Sequence, residues 1–151
     1  MPILVDTNVL LRTKEPSHAQ CTPCQQVLTV AVSRGELLVL CDQVIVEYWA
    51  SATRPKAANG LGLTPEGADR DLAAFEAALV RLPDPPSLTT EWRQIVRTHA
   101  VLGRQAYDAR LAAFMRAGSI GRLLTLNAGD FARYPFVACV SPTALLAEYG
   151  A

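Results

Sequence analysis

Short apolar runs alternate along the chain with longer stretches in which apolar residues return every three to four positions. The runs at residues 3–5, 37–41, 123–126 and 136–140 predict four strands. Helical spacing covers residues 17–33, with Ser17 as N-cap, and residues 42–53, closed by Arg54-Pro55. A third helix opens at Thr64-Pro65, an N-cap followed by proline in the first turn. Two more are predicted over residues 90–100 and 104–117, the last ended by Gly118. The Gly/Ala-rich residues 56–63 and the proline-rich residues 82–87 read as loops, too short to be domain linkers. Strands separated by helices predict an α/β fold: a mostly parallel central sheet flanked by helices, in one domain over residues 1–151.

Composition narrows the function classes. Fourteen basic residues balance fourteen acidic ones, half the residues are hydrophobic and 19% are charged. That excludes disorder and a uniformly basic nucleic-acid binder, though not a local basic patch. Twelve of the basic residues are Arg, whose planar fork suits phosphate and carboxylate, although a genomic bias produces the same count. Met1-Pro2-Ile3-Leu4-Val5-Asp6 has no basic leader, and no apolar run approaches a membrane span. A cytoplasmic protein with no membrane partner is expected. Cys21 and Cys24 form a CxxC inside a predicted helix, and neither His18 nor His99 completes a zinc set, so reduced thiols without redox or metal function are expected.

The chemistry-bearing residues are acids placed after strands, where parallel sheets bind ligands. Asp6-Thr7-Asn8 follow the first strand and Glu47 lies one turn into the helix after the second. Asn127 and Asp130 follow the third, and Asp108 lies one turn into the helix before it. Each has a local alternative: Asp6, Thr7 and Asn8 are good N-caps, Asp130 can start a short helix, and Glu47 and Asp108 complement a helix dipole. Asp108 nevertheless continues the apolar stripe of Leu111, Ala112 and Met115, and Glu47 sits beside Val44 and Tyr48 in a helix nearly free of charge. Carboxylates on a core-facing stripe need partners. Several in one crevice repel unless protons or a divalent cation intervene, and an all-oxygen set suits Mg²⁺ or Mn²⁺ over zinc.

Val5-Asp6-Thr7-Asn8, Glu47, Tyr107-Asp108-Ala109 and Leu124-Thr125-Leu126-Asn127-Ala128-Gly129-Asp130-Phe131, in this order and spacing, resemble the PIN-domain nucleases. Among these the chain is most like the VapC-type toxins of bacterial toxin–antitoxin pairs. The resemblance implies a PIN-like fold and a Mg²⁺- or Mn²⁺-dependent endoribonuclease. It assigns Asp6, Glu47 and Asp108 as the core metal-binding acids and Asp130 as the fourth, with Thr7, Asn8 and Asn127 in support. Whether Asn127 or Asp130 faces the metal stays open. Many relatives carry His before the third acid, where this chain has Tyr107. The implied partners are RNA (tRNA or rRNA), a cognate antitoxin and a second copy in a homodimer. Apolar residues between positions 61 and 82 would pack either an antitoxin helix, another subunit or the core.

RNA must also be held. Residues 93–133 carry seven arginines and two acids, Asp108 and Asp130, leaving that stretch at +5 and the remainder at −5. Arg104 and Arg110 flank Asp108 and are the expected phosphate contacts. Other strand-to-acid folds fit less well. A haloacid-dehalogenase-like phosphatase needs an acid where Asn8 stands, and there is no GxxxxGK[ST] loop. A receiver domain needs a late Lys, yet the only lysines are Lys14 and Lys56. The alternative from another class is a non-catalytic PIN-like module that binds RNA or protein.

Overall fold

The computed structural model describes residues 1–151. The chain enters through strand β1 (Ile3–Val5), helix α1 (Thr7–Arg12) and helix α2 (Cys21–Ser33). Strand β2 (Leu38–Leu40), helix α3 (Asp42–Thr53), helix α4 (Pro65–Ala78) and strand β3 (Val80–Arg81) follow. Helices α5 (Leu88–Thr98) and α6 (Gln105–Ala117) lead to strand β4 (Arg122–Leu124), strand β5 (Ala138–Val140) and helix α7 (Pro142–Glu148). All five strands join one sheet in the order β3-β2-β1-β4-β5, every pairing parallel.

Burial explains the strand sequences. Ile3, Leu4 and Val5 are at most 1% exposed, because helices cover both faces of a parallel sheet and leave no polar side for alternation. From β1 the chain winds outward through β2 to β3, then returns to lay β4 against the other side of β1. The crevice therefore opens beyond the carboxyl ends of β1 and β4, the switch point at which such sheets bind ligands. Trp92 Nε1 donates to the Ala106 carbonyl at 2.9 Å and ties α5 to α6, which carries Asp108 to this crevice.

The structure corrects several sequence boundaries. Ser17 is not an N-cap: α2 begins at Cys21, and Gln20 precedes it without a side-chain cap. A helix running from Ser17 would set the Pro23 ring against the carbonyl of Ala19. Starting at Cys21 places Pro23 in the first turn, where an N–H is unpaired anyway. Strand β4 stops at Leu124 rather than 126, because β1 turns away at Asp6. Helix α5 occupies Leu88–Thr98 rather than residues 90–100, and Ala100 takes a left-handed φ of 49° beyond its end. Residues 56–63 include a 3-10 turn at Lys56–Ala58. Helices α1 and α7 and strand β3 are additional elements. Of the apolar residues between 61 and 82, Leu72, Phe75 and Leu79 belong to the core. No helix is long and apolar enough to cross a membrane.

Candidate active site

Asp6 ends β1 and caps α1, its Oδ1 accepting the Thr7 N–H at 2.8 Å. Its other oxygen accepts from Thr125 Oγ1 at 2.8 Å and from Asn8 Nδ2 at 3.1 Å. Asn8 reaches across the switch point: its Nδ2 donates to Thr125 Oγ1 at 3.2 Å and its Oδ1 accepts the Leu126 N–H at 3.1 Å. The N-cap reading of Asp6 is therefore right, and its second oxygen stays turned toward the crevice side of β1 with Thr125 and Asn8.

Glu47 is half-buried on α3 and doubly anchored. Thr7 Oγ1 donates to its Oε2 at 3.0 Å, and Gln43 Nε2 to its Oε1 at 2.9 Å. Gln43 Nε2 also donates to the Tyr107 carbonyl at 2.8 Å, which joins α3 to α6 immediately before Asp108. Asp108 is half-buried at the head of a stripe in which Leu111, Ala112 and Met115 are all core residues. Asp130 lies exposed in a 3-10 turn at Ala128–Phe131, with Asn127 rather than Asp130 at its start.

One cleft of about 510 Å³ gathers these side chains. Asp6, Thr7, Asn8, Glu47, Asp108, Asn127, Asp130 and Arg104 all line it. Arg110 does not: it is paired with Asp84 at 2.8 Å and donates to Gln43 Oε1 at 3.1 Å. It thereby braces the residue that holds Glu47, and a phosphate would have to compete with Asp84 for it. Thr125 and Gln43 hold the cleft's carboxylates and Arg54 lines it, roles the sequence does not assign: Thr125 stands there only within the 124–131 motif and Arg54 only at a helix end. The position of Gln43, one turn before Glu47, was the available signal for its role. The two histidines stand elsewhere, His18 Nδ1 accepting the Gln20 N–H and His99 packing edge-on against the Tyr134 ring.

The acids feel one another. Burial pushes the Asp6 carboxyl up to about 6, against the bonds from Thr125 and Thr7, and Glu47 and Asp130 add repulsion. Asp108 also rises to about 6, through burial first and then repulsion from Asp130, Asp6 and Glu47, with Arg133 opposing weakly. Both groups bind protons more tightly folded than unfolded, where an Asp titrates near 3.9. Folding stability from these two groups is therefore present at low pH and lost as pH rises through about 6. The metal-free protein should be about 1 kcal/mol more stable at pH 5.5 than at pH 7.5, roughly 2–4 °C in melting temperature. Thermal melts at the two pH values check this, and a flat or inverted profile would refute it.

The donor set fits a hard divalent cation: four carboxylates with amide and hydroxyl oxygens around them, and no imidazole or thiolate. No three Asp, Glu, His or Cys side chains stand close enough together to hold a metal ion between them. Mg²⁺ takes only one or two carboxylates directly and keeps its waters for the others, so a looser ring of acids is compatible with it.

A family model described as PIN domain matches residues 3–137. The fold is similar to that of VapBC2 from Rickettsia felis, solved bound to a DNA fragment from their promoter. The TM-score is 0.71 at 15% identity, over 93% of this chain and 98% of that one. VapBC-1 from nontypeable Haemophilus influenzae gives a TM-score of 0.69 at 16% identity, covering 95% and 99%. VapC20 of Mycobacterium tuberculosis, a Sarcin-Ricin loop cleaving toxin, gives 0.63 at 16% identity, covering 87% and 95%. No curated protein matches by sequence.

Proposed function

Because the chain belongs to the PIN domain family, we propose that it is a Mg²⁺- or Mn²⁺-dependent endoribonuclease, the toxin of a cytoplasmic toxin–antitoxin pair. One observation carries the reading: Asp6, Glu47, Asp108 and Asp130 converge on a single cleft at the switch point, and burial first, then mutual repulsion, raises the pKa of Asp6 and Asp108. The solved VapBC complexes of similar fold support an antitoxin partner, and the Sarcin-Ricin loop cleaving toxin of similar fold supports a structured RNA such as rRNA or tRNA as substrate. A homodimer is part of the same proposal.

In this reading Asp6 and Asp108 hold the cation, while Glu47 and Asp130 accept hydrogen bonds from water and orient it toward the scissile phosphate. A divalent cation bound there supplies charge neutralisation and a more acidic water. Thr7, Asn8 and Thr125 fix the direction of the Asp6 and Glu47 oxygens, and Asn127 completes the rim. Arg104 offers its guanidinium to a backbone phosphate. Neither histidine lines the cleft, so no imidazole is placed to accept the proton of the attacking group.

Purified protein incubated with total tRNA and rRNA should cut in Mn²⁺ and not in EDTA, with discrete mapped ends. Metal-independent cutting would overturn the proposed chemistry. Retained RNA binding without cutting would favour a non-catalytic module. Expression should arrest growth, and Asp6→Ala should relieve the arrest; unaffected growth beside active cleavage in vitro would remove the toxin assignment alone.

A further inference from the structure

The cleft contains a second guanidinium, that of Arg54, reached from the far end of α3. Glu47, Ala50, Ser51 and Arg54 line the cleft together, and their spacing of three, four and seven residues is that of one helix face. Seven residues at 1.5 Å each set Arg54 about 10 Å along the cleft from Glu47. Pro55 ends the helix there and turns Arg54 to extended backbone, φ −64° and ψ 143°.

That backbone is held from outside the helix. The Gly62 N–H donates to the Arg54 carbonyl at 2.8 Å, Leu63 to Ala52 at 2.9 Å and Leu61 to Ser51 at 3.2 Å. These bonds satisfy the last carbonyls of α3, which would otherwise need water. Gly60 lies so close that a Cβ on it would stand 1.9 Å from the Arg54 carbonyl oxygen. Only glycine lets the loop pack this tightly. The side chain, by contrast, is uncommitted: ion pairs engage Arg12, Lys14, Arg81, Arg110, Arg116 and Arg122, and Arg54 is in none of them.

A fixed backbone carrying a free guanidinium, in a cleft that also gathers four carboxylates, matches what a polyanionic strand needs. The carboxylates repel phosphate, so the strand requires a cationic hold beyond their reach, and the Arg fork can bind two phosphate oxygens at once. We propose that Arg54 is a phosphate-binding residue that grips the RNA backbone beside the scissile position, pre-set by the Gly60–Leu63 segment. The inference rests on the ribonuclease reading, and its test separates the two.

A short labelled single-stranded RNA is titrated in Mg²⁺ against protein carrying Asp108→Asn, so that the probe survives, with and without Arg54→Ala or Arg54→Lys. Arg54→Ala should weaken binding about tenfold. It should also lower the slope of log affinity against log salt by about 0.7, the signature of one lost phosphate contact on a single strand. Arg54→Lys should restore the slope and only part of the affinity, since the charge returns without the fork. In the otherwise wild-type protein, Arg54→Ala should raise KM about tenfold, with kcat within about twofold and an unchanged melting temperature. Unchanged affinity and slope, or a fall in kcat at constant KM, would overturn the assignment. Arg54-dependent binding by a wild type that cuts nothing would keep this inference and defeat the nuclease; metal-dependent cutting with Arg54-independent binding would do the reverse.

Discussion

Asparagine in place of Asp108 will reduce metal-dependent RNA cleavage on the order of 10³-fold while making the metal-free protein more stable. The two effects have one origin. Burial and repulsion from Asp130, Asp6 and Glu47 push the Asp108 carboxyl up to about 6, and no hydrogen bond offsets that rise. A neutral amide of the same shape relieves the repulsion and breaks no bond. For a half-buried group the relief is about 1 kcal/mol at neutral pH, roughly 2–4 °C in melting temperature. Under the proposed chemistry cleavage moves the other way, because negative charge at this point would hold a cation, and losing several kcal/mol of transition-state stabilisation costs about three orders of magnitude. The measurements are kcat/KM on the mapped RNA and a melt in EDTA. Asp130→Asn gives the comparison: Asp130 is exposed on a short turn, where water replaces its contribution, and a loss of about tenfold is expected. A loss below about tenfold for Asp108→Asn would remove it from the centre of the site. A lowered melting temperature would make its carboxylate a structural partner instead.

That opposition between stability and chemistry is also why the acids could be found in the sequence. Asp108 was conspicuous because it heads a helix stripe of Leu111, Ala112 and Met115 that the structure buries, and Glu47 because it shares a helix with Val44 and Tyr48. Residues that violate the hydrophobic pattern at a sheet's carboxyl edge carry their signal locally. Arg110 shows what local signals miss. It adjoins Asp108 in sequence, yet its partner Asp84 comes from a proline-rich loop 26 residues away, and only the packing of that loop decides the pairing. Arg54 was hidden for the opposite reason: Arg-Pro read simply as a helix end, and the loop that folds back over it is recognisable only through the close approach of Gly60. Short elements escaped as well. Helix α1 has six residues and β3 two, too few for a period to register, while Ser141-Pro142 at the head of α7 repeats the Thr64-Pro65 signal that located α4.

Valine in place of Thr125 is the second substitution with a large expected effect, and it acts without touching substrate. Thr125 is 1% exposed, and one hydroxyl offers one donor and two acceptor positions. All three are used: it donates to Asp6 Oδ2 at 2.8 Å and accepts from Asn8 Nδ2 at 3.2 Å and from the Asn127 N–H at 3.0 Å. Valine fills the same volume and satisfies none of them. Asp6 and Asn8 keep their mutual bond and Asn127 is exposed to water, so the cost is about 2–3 kcal/mol, a fall of roughly 4–10 °C. Function should suffer beyond that loss of stability. The Thr125 bond lowers the Asp6 pKa against the burial that raises it, so without the hydroxyl Asp6 holds its proton to a higher pH and its oxygens are no longer aimed. Apparent affinity for Mn²⁺ and kcat/KM should each fall about 10–100-fold, the usual effect of removing a group that orients a metal-binding carboxylate. The acid limb of the rate profile should move to higher pH. Thr125→Ser separates the two roles: it gives up a buried methyl group but keeps the hydroxyl, so it should lose stability while retaining metal affinity and the pH profile. Equal metal affinity in Thr125→Val and wild type would mean that Thr125, just beyond β4, contributes packing alone, and that the direction of the Asp6 carboxylate is set entirely within the Asp6-Thr7-Asn8 turn.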